Sequence, residues 1–128
     1  RMAITLVPNG KKSPTDASAP MLYYPRVIKK GEVDLEQLSD EISAATSLSQ
    51  GDCYAAVISL TKMMQNHLEL GEIVRLGQLG SFQISVKGIG TTTAEAVAPK
   101  SVKSASIIFR PGKRLKLMLQ NLQFKMKH

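Results

Sequence analysis

The hydrophobic period of the chain changes at Gly71, and that change limits the folds open to it. Upstream, Cys53, Ala56, Val57, Leu60, Met63, Met64 and Leu68 recur every three or four residues, the spacing of one helix face. Ser49 offers an N-cap and Gly71 a C-terminal stop, so a helix is predicted to run to Leu70. Downstream, apolar residues alternate. "EIVRL" sets Val74 and Leu76 against Ile73 and Arg75, and "SFQISVK" sets Phe82, Ile84 and Val86 against Gln83, Ser85 and Lys87. Such alternation describes a hairpin with one polar face, and the glycine-bounded "GQLG" between the runs reads as its turn. Helix and strand are both required, so the fold class is α+β.

The remaining segments fit around these two. Asp34, with Gln37 three residues on, marks the start of an earlier helix whose apolar positions are Leu35, Leu38, Ile42 and Ala45. Two helices joined by a few polar residues make a helical hairpin. Residues 1–31 read as an N-terminal extension of short strands and loop. "AITLV" and "MLYYPRVIKKG" are β-prone, with Pro25 confining the second to a sheet edge or bulge. Residues 32–128 then form a single domain. Within it, residues 88–101 lack a core pattern and are predicted to be an exposed arm, and "VKSASIIF" is a third strand. The last helix carries an apolar stripe of Leu115, Met118, Leu119 and Leu122.

That last helix poses an electrostatic problem. The stretch "IIFRPGKRLKLML" places Lys113, Arg114 and Lys116 in its first turn. A helix N-terminus carries partial positive charge, and each cation there costs a few tenths to about 1 kcal/mol. A bound phosphate would resolve the conflict, because helix-start N–H groups favour anions. Gly112 would permit close backbone approach, and Arg110, Lys113 and Lys116 would surround the anion. The alternative is a basic first turn tolerated at small cost. Charge along the chain favours phosphate. The formal net charge is +7, with residues 1–85 near neutral and residues 86–128 holding nine Lys and Arg against one acid. Such asymmetry points to a polyanionic partner.

Other classes are poorly supplied. There are two histidines, one of them the terminal His128. His67 lies on or beside a helix stripe, where a packed or cap-region role is expected. The lone Cys53 excludes an internal disulfide and has no cationic sequence neighbours to activate it. No zinc-ligand spacing appears, and "GQLG" and "GIG" lack a phosphate-loop lysine. We therefore expect no enzyme activity, no metal, no cofactor and no small-molecule substrate. No apolar run approaches the roughly 18 residues of a membrane span, and Met2 is not followed by an export signal, so a cytoplasmic protein without membrane attachment is expected. Aromatic residues make up only 5% of 128 positions. The aliphatic core is consequently modest and leaves room for an obligate dimer.

The order "LEQLSDEIS…LSQGDCYAAVISLTKMMQNHLELGEIVRLGQLGSF…ASIIFRPGKRLK" resembles the bacterial histone-like HU and integration host factor family over about residues 33–123. "VRLGQLGSF" matches its strand–turn–strand element and "FRPGKRLK" its entry to the last helix. The added N-terminal segment suggests a divergent, longer branch. The resemblance implies an intertwined homodimer, with a helical hairpin, a three-stranded antiparallel sheet, a β-arm and a C-terminal helix. It implies core and dimer-contact roles for Val74, Leu79, Phe82 and Phe109. It implies that double-stranded DNA meets Arg75, Gln83, Ser85 and Lys87 on the sheet, Lys100 and Lys103 at the end of the arm, and Arg110, Lys113 and Lys116 at the helix start. The function implied is non-sequence-specific, architectural binding and condensation of DNA in the bacterial nucleoid. Two alternatives are a dimer that has lost its DNA grip and acts as a protein scaffold, and one that binds structured RNA. One motif departs from the family: Thr93, Ala94 and Glu95 stand where its arm carries a DNA-wedging proline, and Pro99 comes several residues late.

Overall fold

Ser49 and Gly71 bracket the longest helix as the sequence indicates. In the computed structural model, which describes residues 3–128, α1 spans Leu35–Ala45 and α2 spans Gln50–Glu69. Ser49 Oγ accepts the Asp52 N–H at 3.0 Å. At the other end Gly71 has φ +81, and the Gly71 and Glu72 amides donate to the carbonyls of Leu68 and His67. This is the paired closure that a left-handed residue makes possible. The hairpin is tied by Gln50 Nε2 donating to the Glu36 carbonyl at 3.2 Å. Replacing Ser49 with Ala should cost about 1 kcal/mol, read as a lower urea midpoint with an unchanged slope.

The chain divides into two compact units, Leu35–Leu117 and Arg1–Asp34 with Met118–His128. In the first, β3 (Val74–Arg75), β4 (Gly80–Gly88) and β5 (Val102–Pro111) form an antiparallel sheet in the order β3-β4-β5. Its register aligns Val74, Phe82 and Phe109, then Ile84 with Ile107, then Val86 with Ala105. Phe82 and Phe109 meet with ring centroids 5.0 Å apart. The final helix, α3 (Lys113–Gln120), begins in this unit.

Three features differ from the sequence reading. The β4–β5 ladder ends at Gly88 and Val102, beyond an irregularity at Lys87/Gly88. The predicted β-arm over 88–101 instead contains two short turns, Ala94–Ala96 and Pro99–Ser101. Its Thr- and Ala-rich sequence has no alternating apolar face to hold a ribbon together, and Pro99 cannot donate to a ladder. The apolar stripe of α1 also points elsewhere than expected. The side toward α2 carries half-buried Leu35 and Ser43 and fully buried Ser39, whereas Leu38 and Ile42 are over 40% exposed. Small side chains let the two helices approach closely and turn the larger ones outward. The α3 stripe is likewise open at Met118 and Leu119, and Leu122 lies beyond the helix.

In the second unit β1 (Ala3–Lys11) pairs antiparallel with β2 (Leu22–Val27), as the β-prone runs imply. Pro8 lies opposite Pro25. Residues 1 and 2, the start of the predicted extension, lie outside the described residues. The sequence places everything after residue 31 in one domain. The last eleven residues nonetheless group with the N-terminal strands, because β6 (Gln123–Met126) pairs parallel with β1. No sequence signal marked this four-residue strand.

Among the described residues Cys53 and Leu68 are the only buried large or sulfur-bearing apolar side chains. Leu60, Ile84, Ile107 and Phe109 are all at least 39% exposed. Between α2 and the sheet, Leu60, Ile84 and Ile107 help line an open apolar trough of roughly 680 Å³ with Val57, Met64, Leu68 and Phe82.

Candidate nucleic-acid interface

Strand register decides which polar side chains share a surface. Arg75 pairs with Ser81, and Ser81 with Arg110, so the two arginines flank one serine in a row across three strands. At about 4.8 Å per strand their Cα atoms stand roughly 10 Å apart. On the same face Gln83 pairs with Ile108, Ser85 with Ser106 and Lys87 with Ser104. The structure thus brings Arg75, Gln83, Ser85, Lys87 and Arg110 onto one face, opposite Phe82, Ile84 and Ile107.

The other candidates are placed differently. Lys113 and Lys116 lie in the first turn of α3, two to five residues beyond the end of β5. Lys113 and Arg114 border a shallow depression with Gln78 and Leu117. Lys103 is the unpaired residue where the ladder steps from Ser104 to Val102. Its alternation matches Ala105, away from the arginine face. Lys100 sits in the Pro99–Ser101 turn. Neither therefore extends the polar face by simple alternation.

The sequence reading left out Arg114, Ser81, Ser104 and Ser106. Alternation within "VKSASIIF" could have supplied the two serines of β5. Ser81 emerges only from register.

Gly112 has a packing role that its sequence setting did not suggest. Its amide donates to the Leu79 carbonyl at 3.1 Å, and a Cβ there would collide with the Gln78 backbone and come within 2.8 Å of the Gly77 carbonyl oxygen. Gly80, at φ +141, would collide in turn with the Arg110 carbonyl. The two glycines lock the β3–β4 turn against the β5–α3 junction, and this lock positions Arg110 and the helix start.

None of these cations has a carboxylate within ion-pair distance among the described residues. The one such pair is His67 Nδ1 with Glu72 Oε1 at 2.7 Å, both more than half exposed, at the end of α2. His67 is thus a cap-region residue. Among the described residues no group of three or more His, Cys, Asp or Glu is arranged to hold a metal ion, and no helix is long and apolar enough to cross a membrane.

A helical hairpin followed by a three-stranded antiparallel sheet and a helix with a cationic start defines an HU-like domain. The chain belongs to the family of HU domains fused to wHTH, Ig or glycine-rich motifs, whose profile matches residues 2–126. The N-terminal strands fall inside that match. No curated protein matches the sequence. Among solved structures, that of a provisionally assigned bacterial DNA-binding protein from Bacteroides vulgatus ATCC 8482 superposes with a TM-score of 0.68 at 14% identity. The match covers 97% of this chain and 47% of that one, so the chain spans about half that protein's length. At such identity the likeness establishes the fold alone.

Proposed function

We propose that the chain binds double-stranded DNA through backbone phosphates, with weak sequence preference, as a homodimeric architectural protein of the bacterial nucleoid. The observation that carries this reading is the arrangement of Arg75, Lys87 and Arg110 on one sheet face, followed by Lys113 and Lys116 at a helix start, all without acidic partners among the described residues. Unpaired cations of this kind suit phosphate, which releases counterions and carries no sequence information. Gln83 and Ser85 add neutral donors on the same face. Membership of an HU-containing family and the fold of the B. vulgatus protein support the reading. Insertion of a proline wedge is not part of it, since Thr93, Ala94 and Glu95 stand where that family's arm carries the proline.

The homodimer is proposed from the open trough. A chain with so few buried apolar residues leaves its aliphatic faces in water, and a second copy presenting the same faces would cover them. The resulting assembly should have twice the 13.9 kDa chain mass by light scattering at low micromolar concentration.

The DNA reading is tested by replacing Lys113 and Lys116 with Gln and titrating a fluorescent duplex from 50 to 200 mM salt. The log–log slope should become shallower by about 0.9 per lost phosphate contact, with all duplex sequences weakened alike. Stability should stay equal or rise slightly, as the dipole conflict is relieved. An unchanged duplex slope, or a preference for RNA of the same length, would overturn the assignment.

A further inference from the structure

Folding moves the positive charge. Along the chain the surplus lies entirely after residue 85, but β6 carries Lys125 and Lys127 back to the N-terminal strands. Among described residues the unit built from both chain ends holds seven Lys and Arg against three acids, a surplus of four. Leu35–Leu117, which carries the interface above, holds nine against seven, a surplus of two over about twice the length.

Register then sorts these cations. In the β2-β1-β6 sheet Val7 pairs with Arg26 and Thr5 with Lys125. Lys127, whose amide donates to the Leu6 carbonyl at 2.9 Å, continues the alternation beside Val7. Arg26 and Lys127 therefore flank the central strand on one face, with Lys125 one step along, and Lys11 follows on β1. Leu22 and Tyr24 share this face, opposite Lys11 and Asn9, and the other face carries Ile4, Leu6, Val27, Phe124 and Met126. Arg26, Lys125 and Lys127 are exposed and, among the described residues, have no carboxylate within ion-pair distance. The Asp16 carboxylate is engaged locally, accepting from the Ser18 hydroxyl and amide, and these bonds hold its pKa below the usual carboxylate value.

We propose that this sheet is a second phosphate-contacting surface, on which Arg26, Lys125 and Lys127 engage the backbone of duplex DNA. The inference rests on the DNA reading of the other unit, because the covalent link between the units raises the effective concentration of a duplex bound by one of them for the other. An anionic bilayer suits the sheet less well. The sheet's exposed apolar side chains are split between the two faces, Leu22 and Tyr24 beside the cations and Phe124 and Met126 on the other, so neither face joins a continuous apolar surface to the cations.

The test uses the full chain with Arg26, Lys125 and Lys127 replaced by Gln. A control with Lys12, Lys29 and Lys30 replaced by Gln removes the same charge from loop positions. The Lys113→Gln/Lys116→Gln variant is measured alongside. The sheet variant should flatten the duplex salt slope by about 0.9 for each of up to three contacts, clearly more than the loop control, and its loss should add to that of the helix variant. If only the helix variant flattens the slope, the second surface is overturned and the DNA reading stands. If neither does, both fall. Equal effects of the sheet and loop variants would reduce the result to net charge and overturn the inference. So would loss of binding to phosphatidylserine vesicles with DNA affinity intact. Should the triple variant lose its circular dichroism signal, Lys127→Gln alone, just past the end of β6, should still flatten the slope by about one contact, and no change there would overturn the proposal.

Discussion

Replacing Ile84 with Asp should abolish assembly and leave a monomeric or unfolded chain. Ile84 pairs with Ile107 in the centre of the β4–β5 ladder, and the two are 40% and 61% exposed in the single chain. If the trough they line stayed in water, a charge there would change stability by about 0.5 kcal/mol or less. Under a second copy, the substitution forfeits about 2 kcal/mol of apolar burial and places an unpaired carboxylate where desolvation costs several kcal/mol per ion. Symmetry applies that penalty twice per dimer, which rivals the roughly 5–15 kcal/mol of a whole domain. Light scattering and circular dichroism distinguish the cases. Ser106→Asp is the matched control on the opposite face, one step along the same ladder. It should leave the dimer intact and weaken duplex binding. A dimeric, fully folded Ile84→Asp protein would remove the trough from the interface.

Gly112→Ala should lower thermal stability by 10 °C or more, a second large effect from a single methyl group. The added Cβ meets backbone atoms of Gly77 and Gln78, which cannot rotate away as a side chain could. Overpacking of this kind costs about 1–3 kcal/mol, and separating the segments also weakens the bond from the Gly112 amide to the Leu79 carbonyl, worth about 1 kcal/mol. Several degrees per kcal/mol is expected for a domain of this size. The result also tells two roles for the glycine apart. If Gly112 existed to let a ligand approach the helix start, the Ala variant would fold normally and lose only DNA affinity. Gly80→Ala, at the mirror position of the same lock, should be at least as damaging, because its φ of +141 disfavours any side chain.

Much of the local structure was legible in the residues themselves. A cap at Ser49, a left-handed stop at Gly71 and the change of period after it are short-range effects, decided by hydrogen bonds and alternation within a few positions. Hence both helices, β4, β5 and the cationic start of α3 could be read directly. The polar side of β4 could too, because period-2 alternation assigns Gln83, Ser85 and Lys87 to one side wherever the strand goes. Tertiary structure alone decided the rest. Bringing Arg75 and Arg110 to either side of Ser81 is a matter of the register between β4 and β5, strands joined by a long irregular segment, which no local pattern encodes. Two glycines that look like turn residues were needed because backbone from another segment occupies their missing Cβ positions. Leu38 and Ile42 face outward because small residues, Ser39 and Ser43, form the close helix contact. And Gln123–Met126, too short and too mixed to declare itself, became a strand only because β1 offered an open edge, which carried two lysines from one end of the chain to the other.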